Sequence, residues 1–161
     1  MNQIKMAYNW TFYIHLQNSK NWDLDSYYKI NTSSNDLCEL LKINQQIGIE
    51  LLKSSLIFVM KDNIIPTWED ELNINGGSFS FKIHNRDIER VWKHFLYRML
   101  GNTLFENEEI MDNVNGLSVS PKKTTCILKV WMKNCNIKNV SIFSKLKNIL
   151  NINECMFKKH I

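Results

Sequence analysis

The chain has 161 residues, 44% hydrophobic and 22% charged, which is ample for a buried core and ordinary for a globular protein. Its net charge of +4 is a mild pull toward anions and excludes the strong field of a duplex-binding protein. No apolar run approaches the roughly 20 residues needed to span a bilayer, and Met1-Asn2-Gln3-Ile4-Lys5 lacks a signal-peptide layout, so one intracellular domain over 1–161 is expected.

Met6–Leu16 is aromatic-rich and suits a strand. Gln17–Asp25 is polar and turn-like with Trp22 in its middle, and Tyr27–Ile30 is a second short strand. Asn31-Thr-Ser-Ser-Asn supplies an N-cap for a helix through Leu37, Leu40 and Leu41. Ser55–Met60 reads as a buried strand, followed by a long loop from Lys61 to Ser78. Asn75-Gly76-Gly77 then turns into a strand over Ser78–Ile83. Arg86–Leu100 is the clearest helix, with Ile88, Val91, Trp92, Phe95, Leu96, Met99 and Leu100 on one stripe and Gly101 as its C-cap. Its other face carries Arg90, Lys93, His94, Tyr97 and Arg98. After an acidic segment, Leu117–Ser120 and Thr125–Met132 read as a strand pair around Pro121-Lys122-Lys123. Asn136–Leu150 reads as a second long helix and Cys155–His160 as a last strand. Hairpin-like strand succession with interposed helices predicts an α+β fold, an antiparallel sheet with helices on one face.

Cys38, Cys126, Cys135 and Cys155 show no C-x-x-C spacing, and the four histidines form no H-x-x-x-H pair. Reduced thiols and no metal or cofactor are expected. No Ser/His/Asp or Cys/His pairing points to a catalytic residue. The five tryptophans are more informative. Trp92 lies on a core stripe, and Trp10 suits a core strand. Trp68 alone fits a core as well as a ligand platform, but the loop around it and the three acids after it make burial awkward. Trp22 also sits in a polar loop. Two loop-borne indoles can sandwich a flat cation, each face contributing roughly 0.5–2 kcal/mol. Glu69 can accept from N–H groups on the ring edge. Ile127, Lys129 and Trp131 share one strand face, so Lys129, with Lys122 and Lys123 at the turn, suits a phosphate chain attached to that ring. A lone Lys is more often a solvated surface charge.

Trp68-Glu69-Asp70-Glu71, preceded by Phe58-x-x-Lys61-Asp62-x-Ile64-x-Pro66 and followed by Asn75-Gly76-Gly77, resembles the signature loop of translation initiation factor 4E, the messenger RNA cap-binding family. Trp10 and Tyr13 are similar to the aromatic pair of the family's first strand, and Asp87-Ile-Glu-Arg-Val-Trp92 to its second helix. The likeness covers about residues 6–161. It implies a curved antiparallel sheet with about three helices on its convex face. It also implies 7-methylguanine stacked between Trp22 and Trp68, its N1–H and 2-amino group on Glu69, its O6 on the Trp68 backbone N–H, and its N7-methyl against Trp131. The implied ligand is capped mRNA, met by a cytoplasmic, monomeric, non-enzymatic protein.

The departures from the family also matter. Lys122 falls at the family's phosphate-binding Arg, but Thr124 and Ile127 stand where it has two Lys, leaving Lys123 or Lys129 as substitutes. Where the family offers a Trp and a Leu-Glu pair to a scaffold protein's Tyr-x-x-x-x-Leu helix, this chain has Cys38, Lys93 and His94, beside Tyr97. An altered or co-adapted partner is therefore expected. The chain ends at Ile161, before the family's phosphate-covering loop, which fits a pared-down cellular paralogue or a viral form. The rival reading is a cap-sequestering inhibitor of translation that cannot recruit the scaffold.

Overall fold

The computed structural model describes residues 4–161. Its strands are β1 (Lys5–Leu16), β2 (Tyr28–Lys29), β3 (Ser34–Asp36), β4 (Ser55–Lys61), β5 (Gly77–His84), β6 (Val114–Pro121), β7 (Thr125–Met132) and β8 (Met156–Lys159). They form one curved sheet in the order β2-β1-β4-β6-β7-β5-β8, with β3 also paired to β1 and every described pairing antiparallel. The helices are α1 (Leu37–Ser54), α2 (Ile88–Leu100) and the short α3 (Glu108–Asp112). A seven-residue 3-10 segment spans Val140–Leu146.

Period-two alternation divides the sheet cleanly. Phe12 on β1, Ile57 and Val59 on β4, Phe79 and Phe81 on β5, and Leu128 and Val130 on β7 all join the main core. Against that face packs the α2 stripe, with Ile88, Val91, Trp92, Phe95, Leu96, Met99 and Leu100 all buried. The expected stripe is therefore the observed one. Trp92 Nε1 donates to Asn44 Oδ1 at 2.9 Å, which ties α2 to α1 and satisfies a polar atom inside the core. The alternate strand residues Tyr13, Phe58, Met60 and Trp131 form a smaller cluster with Ile64 on the opposite face.

Two expected elements differ. The stretch Asn31–Asn35 does not supply the N-cap: Asn31 Oδ1 accepts from Phe12 N at 2.8 Å and its Nδ2 donates to Trp10 O at 3.2 Å. An amide side chain there satisfies the open edge of β1, and residues 34–36 extend the same patch as β3. Asp36 caps α1 instead, accepting from Cys38 N at 3.0 Å. The second difference is at 136–150, where no long helix forms. Phe143 sits at the centre of an aromatic cluster, 5.0 Å from Phe79, 4.9 Å from Phe81 and 5.1 Å from Phe105. Anchoring that one ring takes precedence over a long amphipathic stripe, and the backbone adopts a short 3-10 segment that is irregular at Phe143. Smaller details also emerge. Gly101 caps α2 with φ −82°, and the left-handed residue is Asn102 at φ 60°. Helix α1 is interrupted at Gly48, whose φ of 67° is non-helical.

Gly76 leads the chain into β5 hard against the backbone. A Cβ there would fall on the main-chain carbonyls of Met132 and Lys133, which cannot swing away as a side chain would. Gly76→Ala should therefore lower stability by about 1–3 kcal/mol. The expected signature is a lower urea midpoint with an unchanged slope.

Candidate functional site

The irregular segment 62–76 stands between β4 and β5 without a partner strand, so its polar groups are satisfied by local backbone turns, such as Asp70 N to Thr67 O and Gly76 N to Asn73 O, and by side chains. Asp70 does part of this, its carboxylate accepting from Ile65 N at 2.9 Å and from Leu72 N at 2.8 Å. Asn73, fully buried, donates to Ile65 O at 3.1 Å and Thr67 O at 2.9 Å. These two residues tie the segment to itself on both sides of Trp68 and Glu69. The sheet then fixes it from below. Asn115 on β6 donates to Leu72 O at 2.8 Å and to Asn73 Oδ1 at 2.9 Å. His160, just past β8, meets Asn73 O through Nδ1 at 2.6 Å and Ser78 Oγ through Nε2 at 2.9 Å. A carbonyl only accepts, so Nδ1 carries the proton and Nε2 accepts from the serine hydroxyl.

Trp68 is 44% exposed and Trp22 55%, unusual for indoles in a folded chain. Trp131 is 7% exposed, with Nε1 donating to Ser118 Oγ at 2.9 Å across the β6–β7 pair. Aromatic contacts run across this face: Trp131 to Phe58 at 6.3 Å, Phe58 to Tyr27 at 5.7 Å, and Tyr27 to Trp22 at 6.4 Å. Trp22 also lies flat on His15, centroids 4.0 Å apart and planes 4° from parallel.

A cavity of about 410 Å³ is lined by Trp22, Trp68, Glu69, Ser118, Lys129 and Trp131, among others. Lys122 and Lys123 line a neighbouring cavity of about 400 Å³ that shares Trp22. Burial holds the Lys129 ammonium below the ordinary lysine pKa, and the charges of Lys122 and Lys158 push it the same way. Tyr27 is shifted upward by burial and, secondarily, by the Glu69 carboxylate. The cavity thus carries one carboxylate and one ammonium, with two more ammonium groups next door. Such a site can take a flat ring that bears an N–H edge and an anionic tail. Among the described residues, no three His, Cys, Asp or Glu side chains are grouped as metal ligands would be.

On the helical face, a groove of about 630 Å³ runs between α1 and α2, lined by Leu37, Leu41, Ile49, Trp92, Lys93 and Tyr97, among others. Lys93, His94 and Tyr97 also border an adjoining cavity with Arg90 and Arg98. Cys38 is exposed in the first turn of α1 and lines neither space. Lys93 is paired with Glu89 at 3.2 Å on the surface.

The residues that reading the sequence missed are the supports: His15, Asn73, Asn115 and His160. Strand parity carried a signal for His15, which alternates with Tyr13 on the site face. Nothing local marked the other three. Lys61 is another support. Its Nζ donates to Met111 O at 3.3 Å and Asp112 O at 3.4 Å and lies 3.9 Å over the Tyr8 ring, and desolvation brings its pKa down to about 8.

Burial lowers the His160 pKa from its ordinary 6.5, although the Asn73 carbonyl acts the other way. The unfolded chain therefore takes up this proton first on acidification. The stability contributed is present above 6.5 and is lost as pH falls through the folded value. Urea midpoints measured between about pH 5 and 8 should fall on the acid side, and His160→Gln should flatten that slope.

The protein-family model described as Eukaryotic initiation factor 4E matches residues 5–161. A protein of Acanthamoeba polyphaga mimivirus, described as a eukaryotic translation initiation factor 4E homolog, is 30% identical over 140 residues, covering 74% of this chain and 52% of its own length. The chain spans about half the length of the curated relatives it matches. Among solved structures, C. elegans eIF4E-3 in complex with the 4E-binding protein Mextli and a cap analog superposes with a TM-score of 0.83 at 19% identity, covering 99% of this chain and 94% of that one. Ascaris suum eIF4E-3 with an m7G cap gives 0.81 at 19% identity, covering 99% and 93%. At that identity the two likenesses establish the fold.

Proposed function

This chain belongs to the eukaryotic initiation factor 4E family, and from that premise we propose that it binds the 7-methylguanosine cap of messenger RNA and acts in translation initiation. The observation that carries the reading is the shared cavity of Trp22, Trp68, Glu69 and Trp131. The solved C. elegans and A. suum structures named above are complexes with a cap analog and with an m7G cap. In the proposed complex the methylated base, a permanent cation, stacks between the two exposed indoles. Glu69 accepts from the N1–H and 2-amino group, the Trp68 backbone N–H donates to O6, and Trp131 lies against the N7-methyl. Lys129 takes the first phosphate, with Lys122 and Lys123 beyond it. Each is a point charge without the bidentate fork of Arg. The mode is binding without catalysis, by a cytoplasmic monomer acting as one domain.

Loss of the N7-methyl removes the cation and its attraction to both indoles. 7-Methyl-GTP should therefore quench tryptophan fluorescence at a concentration at least about tenfold below that needed for GTP. Equal quenching by the two nucleotides would remove the stacking argument. Glu69→Ala should weaken 7-methyl-GTP by about tenfold or more in a protein that melts like the wild type.

We infer that a partner, where one is used, docks in the α1–α2 groove, and that its chemistry differs from the family's usual Tyr-x-x-x-x-Leu helix. Lys93 in the groove and His94 in the adjoining cavity support this, because they replace an apolar anchor and a carboxylate with basic groups. The same observation supports the second reading, a cap-sequestering inhibitor. A Tyr-x-x-x-x-Leu peptide should bind weakly, and peptide titration by calorimetry measures it. Tight binding abolished by changing Lys93 or His94 would refute the altered-face reading. Added protein should stimulate a capped reporter if it is an initiation factor and suppress it if it sequesters caps.

A further inference from the structure

His15 is completely buried on the face of β1 that carries the cavity, where a strand position could hold any apolar ring. Its Nε2 is 2.8 Å from the carbonyl oxygen of Asn21, so Nε2 carries the proton and donates it. Nδ1 is then a bare, buried nitrogen without a partner. An apolar residue would avoid that desolvation cost, so the hydrogen bond to Asn21 and the shape of the ring are what histidine supplies here. Asn21 immediately precedes Trp22. Its own side chain accepts from Asp23 N at 2.9 Å, closing a tight turn around the indole. The same imidazole therefore grips the turn by its backbone and supports the Trp22 ring by stacking. With its inner face covered, Trp22 still exposes 55% of its surface.

An exposed indole on a polar turn is free to rotate, and ordering it on binding opposes affinity. Stacking it in advance removes that opposition. We propose that His15 is a positioning residue for cap recognition, holding Trp22 as a preformed platform by stacking beneath its ring. This rests on the cap-binding reading above. His15 touches no ligand in this account; it acts only through Trp22.

The test uses the full chain with H15L, which keeps apolar bulk but removes the aromatic face, and H15F, which restores the face without the hydrogen bond. Binding of 7-methyl-GTP is followed by fluorescence, and the Trp22 environment in the free protein by the near-UV circular dichroism difference from W22F. H15L should bind about three- to tenfold more weakly and lose the Trp22 signal, while H15F should recover most of both. Wild-type affinity in a folded H15L would overturn the role of His15 and leave the cap reading standing. Equal losses in H15L and H15F would trace the effect to the hydrogen bond and overturn the stacking role. A wild-type protein that ignores 7-methyl-GTP would overturn the cap reading itself, and this role with it.

Discussion

A long segment that leaves a sheet without a partner strand cannot stay ordered unless its backbone polar groups are satisfied, and the fastening of residues 62–76 meets that constraint. Asp70 and Asn73 accept from and donate to main-chain groups on both sides of Trp68 and Glu69. Asn115 and His160 then bolt the segment to β6 and to the end of β8. The two residues that face the cavity are thereby free to serve a ligand. A ligand-facing pair on an unfastened loop would have to be ordered at each binding event.

The two faces of the sheet obey different rules. On one, a continuous aliphatic and aromatic core takes the α2 stripe and the Phe143 cluster. On the other, a smaller cluster of Tyr13, Phe58, Met60, Ile64 and Trp131 supports a partly open aromatic surface. Its rings contact one another from Trp131 through Phe58 and Tyr27 to Trp22, and a histidine packs at each end: His15, buried, under Trp22 and His160, half-buried, 5.2 Å from Trp131. Histidine suits both places because it is flat enough to pack on an indole while carrying a donor that can hold a neighbouring backbone carbonyl. Both rings do so, on Asn21 and Asn73 respectively.

The proposed partner face contrasts with this arrangement. The groove between α1 and α2 has an apolar floor, a Lys93–Glu89 pair at its margin and a basic cavity beside it, and such exposed pairs contribute little to folding. Its exposed charged residues are therefore free to diverge without harm to the fold, whereas Trp92 and Asn44 beneath them are not. The cavity residues are less free, because Trp131 and the Asn73 network are also part of what holds the sheet and segment together.

Local pattern determined much of this protein. The period-two strands, the α2 stripe and the Trp-Glu-Asp-Glu segment were all legible, because each rests on spacing between near neighbours. The same parity separated Ile127, Lys129 and Trp131 from the core. The N-cap expected within residues 31–35 and the long helix expected over 136–150 do not form because distant demands prevail there: an open strand edge in one case, a hole for Phe143 in the other. Only the tertiary structure decided that His15 lies under Trp22 and that Asn73 is held by Asn115 and His160. Those contacts join residues 42 and 87 positions apart, or, for His15, bring a turn back onto its own strand. Sequence patterns record which face a side chain takes, whereas the partner it meets there is set by how the sheet curves and where its loops return.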